Sequence, residues 1–282
     1  MTDNSPGPKA KRATSAKVTI APKTDDQLAG TQSIRRAVSI LKEISMYGQR
    51  GVRLVDIANT MQLERPTVHR IIRGLVSQGM VVQDPTSKLY RLGPVVYELG
   101  IAASPYHNLR EICQPALRRL ADRSGDSVYL VVRSGMDTVC FDRLEGSYPI
   151  KTQTLEIGAR RPLGSGAGSL AIMLELPQDE IDRVIEVNAS RYSLFGLMTP
   201  DRLRDSLEKS REAGYAINEE DVLPGVVAIG APLKNADGTC YAGISIAGIS
   251  PRLAEPRRGE LASILQKEAR QLSRKLAEAT DK

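Results

Sequence analysis

The sequence has no tryptophan and only two phenylalanines among its 282 residues. Stacking platforms for single-stranded nucleic acid need aromatic faces in number, so that mode of binding is not expected. Histidine is almost as scarce: His69 and His107 are the only two, which leaves few candidates for histidine-based catalysis or a multi-histidine metal site. Cys113, Cys140 and Cys240 lie too far apart for a C-x-x-C metal site, and an odd count does not suit a disulfide framework. They are expected to be reduced thiols of a cytoplasmic protein. No apolar run approaches the roughly 18 residues that a membrane helix needs, and the polar start has no apolar stretch of a secretory leader. Neither a membrane partner, a metal nor a cofactor is expected.

What is present is ordinary globular material with an uneven charge. Hydrophobic residues make up 41% and charged residues 26%, with a net charge of +6. Residues 1–30 carry a net +2, residues 31–104 a net +5, and the remainder a net −1. A basic module joined to a balanced one points to a polyanion held by one end of the chain. The length suits two domains on a prior of roughly 150 residues each.

Residues 1–30 are rich in Pro, Ser, Thr and Lys without apolar periodicity, and are expected to form a disordered tail. Order begins near Thr31. Ile34, Ala37, Val38, Leu41 and Ile44 recur on one helical face, ended by Gly48 and Gly51. A short helix carries Leu54, Ile57, Ala58 and Met61, and a turn at Leu63 leads to a third helix, 66–77. Pro66 suits the first turn of that helix, where its missing N–H is not needed, and Gly79 suits its end. Two β-prone segments, 80–83 and 88–92, flank the turn Asp84-Pro85-Thr86-Ser87. Three helices and a hairpin make a winged helix-turn-helix over residues 31–93.

A connecting helix is expected over 94–104, with a boundary at Pro105. The second domain, 105–280, mixes helices (109–124, 169–176, 178–189, 203–213 and 256–279) with strands (127–132, 137–142, 226–232 and 240–247) joined by tight turns. The pattern predicts an antiparallel sheet flanked by helices, an α+β domain.

In a helix-turn-helix the second helix of the pair enters the major groove of double-stranded DNA. Its free face here shows Thr67 and Arg70, flanked by His69 and Arg73, with Arg65 at its start. Arg65, Thr67 and Arg70 are candidates for base contact or for positioning the helix. His69 and Arg73 suit phosphates, as do Lys88 and Arg91 on the wing.

The segments Ser33–Leu41, Leu54–Ala58, Arg65–Ile72, Gly79–Val82 and Tyr90–Gly93 together resemble the N-terminal domain of IclR-type bacterial transcription regulators. Arg161–Gly168, Gly214–Asp221, Pro224–Val226, Ala228–Pro232 and Gly243–Gly248 are similar to segments of that family's C-terminal half, so the resemblance spans roughly residues 31–280. It implies a cytoplasmic repressor or activator, a homodimer or homotetramer on a palindromic operator, with a GAF-like domain that binds a small organic acid or aromatic metabolite. The effector pocket would use the backbone N–H groups of Gly166 and Ala167, with Asn218, Ala228, Ser245 and Ala247. Members often carry Asp, a small polar or Cys residue, and Ser where this chain has Asn218, Ala228 and Ala247. That loss of polar partners favours a larger, more apolar carboxylate.

Rival readings come from other classes. Gly166-Ala-Gly168-Ser-Leu-Ala171 matches a dinucleotide fingerprint, but such a fingerprint must follow a buried apolar strand, and Ala159-Arg-Arg-Pro162 precedes it. Nucleophilic hydrolysis needs a base beside the nucleophile, and neither histidine has that setting. A DNA-binding protein whose second domain only oligomerises is the remaining alternative.

Overall fold

The computed structural model describes residues 31–103, 105–152 and 154–280. The expected tail, with Lys9, Lys11, Arg12, Lys17 and Lys23, lies outside the described residues, as does Ser104. The N-terminal unit is α1 (Gln32–Ser45), α2 (Leu54–Thr60), α3 (Arg65–Ser77) and an antiparallel hairpin of β1 (Val81–Gln83) and β2 (Tyr90–Leu92). Its core joins Ile40 and Ile44 of α1, Ile57 of α2, and Val68 and Ile72 of α3. The helix spacing of these apolar residues puts one face of each helix against the others. Helix α3 ends because Gly79 takes φ +68°, which lets Met80 N–H reach Leu75 O and Gly79 N–H reach Val76 O, each at 3.0 Å. That double bond pair satisfies the last carbonyls and turns the chain into β1. At the hairpin turn the Asp84 carboxylate accepts the N–H groups of Thr86 (3.1 Å) and Ser87 (2.7 Å).

Helix α4 (Pro94–Ala102) follows, with no buried residue. Then comes α5 (Pro105–Ser124). Pro105, expected to mark the domain boundary, is the first residue of this helix, four residues ahead of the helix start expected at 109, and Pro200 likewise opens α8 (Pro200–Ala213). Proline is tolerated in a first turn, where its N–H has no partner to lose.

The C-terminal unit is built on a six-stranded antiparallel sheet in the order β5-β4-β3-β8-β7-β6. Its strands are β3 (Ser127–Ser134), β4 (Asp137–Leu144), β5 (Arg160–Pro162), β6 (Ala216–Glu219), β7 (Val226–Lys234) and β8 (Cys240–Ile249). Strands β5 and β6, the two edges, have no counterpart in the sequence expectation. Successive side chains alternate faces. Leu130, Ile229, Ile244 and Ile246 point to one face, where Leu117 and Leu120 of α5 and Leu265 and Leu272 of α9 (Arg257–Thr280) cover them. The opposite face carries α6 (Ala167–Met173), α7 (Gln178–Tyr192) and α8, packed through Leu170, Ile172, Ile181 and Leu203.

Helix α6 lies directly on the sheet. A Cβ on Gly230 would collide with the Ala167 carbonyl, and one on Gly243 with the Gly168 carbonyl. Glycine at both positions is what lets the start of α6 sit this low over β7 and β8. Helix α6 follows an edge strand that runs antiparallel to β4, so no β-α-β unit surrounds Gly166–Ala171 and the dinucleotide reading fails. Among the described residues no helix is long and apolar enough to cross a membrane.

Candidate functional site

Two regions carry chemistry. The first is the free face of α3. Val68 and Ile72 are buried, which turns Arg65, His69, Arg70 and Arg73 to solvent, all exposed, with Thr67 half-buried beside them. Among the described residues no carboxylate pairs with Arg65, Arg70 or Arg73. A Cβ on Gly74 would meet nothing within 4 Å, so the face is also open at that position. Lys88 stands exposed at the hairpin turn with φ +60°. Arg91 is placed differently. It is half-buried, with its Cγ over Gly51, and lies 3.9 Å from Asp84 across the hairpin. The Ser87 N–H on the Asp84 carboxylate holds that acid below its ordinary pKa, which keeps it ionised beside Arg91.

The second region is a pocket between α6 and the sheet, a space of about 540 Å³ including its mouth. Its floor is the sheet face opposite α5 and α9. Asn218 is the direct cross-strand partner of Ala228, and Ala228 of Ala247, so these residues form one row across β6, β7 and β8. Ser245 is flanked by Tyr129 on β3 and Gly230 on β7. Gly166 and Ala167 form the wall opposite. The N–H groups of Ala167, Gly168 and Ser169 precede the first helical bond, Leu170 N–H to Gly166 O at 2.8 Å, and no side chain caps α6. They are the donors a helix start leaves open. All six residues expected for the effector pocket therefore line one cavity.

The cavity also has lining that the sequence did not reveal. Tyr129, Val131, Leu155 and Leu223 give it an apolar body. Ser165 lines it too, and its buried Oγ has no hydrogen-bond partner. Arg161 enters from β5. It is the cross-strand partner of Thr138, another lining residue, so both point to the same face. Burial lowers the pKa of its guanidinium, because water is withdrawn from the charged form. Arg161 donates to Thr154 O and stacks 5.4 Å over the Phe195 ring. Asn218 is held by its amide, which donates to Asp221 Oδ2 at 3.3 Å. Asp221 is bound in turn by Arg202 at 3.0 Å and Ser206 Oγ at 2.9 Å. That acid braces the pocket from behind rather than lining it.

Family models match both units: "IclR helix-turn-helix domain" over residues 33–85 and "Bacterial transcriptional regulator IclR C-terminal" over 102–274. The chain belongs to the IclR family. Among curated relatives, the HTH-type transcriptional regulator KipR of Bacillus subtilis is 30% identical over 79% of this chain and 89% of its own. The HTH-type transcriptional repressor AllR of Escherichia coli is 26% identical over 86% of this chain and 90% of its own. The crystal structure of an IclR homolog from Microbacterium hydrocarbonoxydans, complexed with 4-hydroxybenzoate, has the same fold. Its TM-score is 0.65 at 21% identity, covering 86% of this chain and 98% of that one.

This IclR-family chain is a transcriptional regulator and not an enzyme. It binds DNA through the helix-turn-helix and an effector through the C-terminal domain. The α+β architecture expected from the sequence is the observed one. Arg161 lay inside a motif visible in the sequence, but two adjacent arginines look alike there. The strand pleat is what separates them. Among the described residues no group of His, Cys, Asp and Glu side chains could hold a metal ion.

Proposed function

We propose that this regulator's operator affinity is set by a small carboxylic acid with an apolar body, bound between α6 and the sheet. One observation carries the reading. The start of α6, whose first N–H groups have no intrahelical partner, and the apolar residues Tyr129, Val131, Leu155 and Leu223 line one cavity. The polar complement at the row Asn218, Ala228 and Ala247 is thin, which suits a larger and less polar acid than a minimal keto acid. The aromatic acid in the Microbacterium homolog is of the kind this lining would accept.

On the DNA side, Arg65, Thr67 and Arg70 read bases or set the helix in the groove. His69, Arg73 and Lys88 contact phosphates, and Arg91 contributes less because Asp84 already holds it. A homodimer on a palindromic operator is the proposed assembly. Ile34 of α1 (66% exposed) and Tyr97 of α4 (74% exposed) belong to apolar faces next to the DNA-binding unit, and a second copy covers such faces most simply. The cell's DNA being the partner, the protein works in the cytoplasm. The effector favours one arrangement of the dimer. It acts through α4, so that the distance between the two α3 helices changes.

Thermal-shift screening of organic acids, followed by operator gel shifts with and without each hit, tests the proposal. A stabilising acid that changes operator affinity supports it. Intact operator binding with no stabilising acid favours a C-terminal domain that only assembles the protein.

A further inference from the structure

The C-terminal domain pairs its half-buried arginines with carboxylates. Asp126 holds Arg252 at 2.7 Å and Arg257 at 2.8 Å. Asp137 holds Arg160 at 3.2 Å and Arg191 at 2.7 Å. Arg161 breaks this pattern. Its neighbour Arg160 points to the other side of β5 and takes Asp137, whereas Arg161 turns toward the pocket and has no carboxylate partner among the described residues. A guanidinium carries five N–H donors, and Thr154 O is the acceptor the protein offers it. Burial has already weakened its hold on its proton. A cation withdrawn from water without a counter-charge is costly, and this one faces an open cavity. In the lining of the same cavity, Ser165 Oγ is buried and has no partner.

We propose that Arg161 is the counter-ion of the effector's carboxylate. It pairs with that group through its planar fork, and it makes the pocket selective for monocarboxylates over their uncharged analogues. The assignment rests on the effector reading above and adds to it the residue that decides charge selectivity. A carboxylate matches the two parallel N–H groups of a guanidinium. Ser165 Oγ supplies a hydroxyl in the lining of the same cavity. The apolar walls receive the rest of the molecule. The adjacent face of Phe195 holds the guanidinium plane in place.

Titration calorimetry on the full chain tests this with benzoate, hexanoate and pyruvate, each beside its primary amide, and with inorganic phosphate. The wild type is expected to bind the best of the acids at least about 30-fold more tightly than the matching amide. Arg161→Gln should bring acid and amide within about threefold of each other, because the charge preference disappears with the charge. Arg161→Lys should keep the preference for the acid but bind it about tenfold more weakly, as the charge stays and the fork is lost. The melting temperature of ligand-free Arg161→Gln should stay within about 4 °C of the wild type, because no protein carboxylate loses its partner. An Arg161→Gln protein that binds the acid as the wild type does overturns the assignment and leaves the effector reading standing. So does an amide bound as tightly as its acid, or phosphate bound more tightly than every acid. Failure of all three acids to bind the wild type overturns the effector reading together with the assignment.

Discussion

On α3, Arg65, Arg70 and Arg73 stand in water with no carboxylate partner among the described residues. In the C-terminal domain Asp126 and Asp137 each grip two arginines. The contrast follows from solvation. An exposed guanidinium costs little unpaired, since water and salt screen it, and it keeps its charge free for phosphates. A half-buried guanidinium has given up part of that water, and a fixed counter-charge offsets the loss. The DNA-binding unit therefore stores binding capacity in unsatisfied cations, while the sensor unit spends its acids on silencing them. Arg161 shares with the α3 arginines the lack of a carboxylate partner among the described residues, but it sits half-buried in a pocket wall.

The comparison is tested most severely at Asp126, whose side chain is 1% exposed. Asp126→Ala strands Arg252 and Arg257 and should cost about 3 kcal/mol. The melting temperature should fall by roughly 10 °C in differential scanning calorimetry. Arg70→Ala should do the reverse. Stability should stay within about 0.5 kcal/mol, while operator binding weakens by about 1–3 kcal/mol and binding to random DNA by less. Equal loss on both DNAs would show that Arg70 positions the helix and does not read a base. Lys88→Ala should weaken binding to every sequence alike and reduce the salt slope by about 1 in fluorescence anisotropy titrations. The smallest effect is expected at Arg91. Its partial pairing with Asp84 at 3.9 Å predicts that Arg91→Ala lowers the slope by less than Lys88→Ala does. A larger change at Arg91 would mean that Asp84 releases it on DNA.

The helix-turn-helix was legible because its signals are local. Apolar spacing in 34–44 and 66–77, Pro66 at a helix start and Gly79 at its end each act within a few residues. The long strands β3, β7 and β8 were legible from β-prone runs broken at turns such as Asn235–Gly238. The edge strands were not. Arg160-Arg161-Pro162 reads as a polar loop, and only its pairing with Val139 and Thr138 of β4 makes it a strand. Asn218 was placed at the pocket by family resemblance, while the reason it arrives there is its register with Ala228 on β7. The starts of α5 and α8 at Pro105 and Pro200 were not legible, because a proline that opens a helix and one that ends it look the same in one dimension.

The sequence by itself determined the class of the protein: its two-unit organisation, the basic face of α3 and the apolar composition of the core all follow from periodicity and charge placement along the chain. What only the tertiary structure decided is which of the polar groups are already satisfied. Partners such as Asp126 and Arg252 or Arg257 are more than a hundred residues apart. Whether a guanidinium is neutralised or left waiting depends on which acids the folded sheet and helices bring within about 4 Å of it. That separates Arg160 from Arg161, which are adjacent in the chain and on opposite sides of one strand.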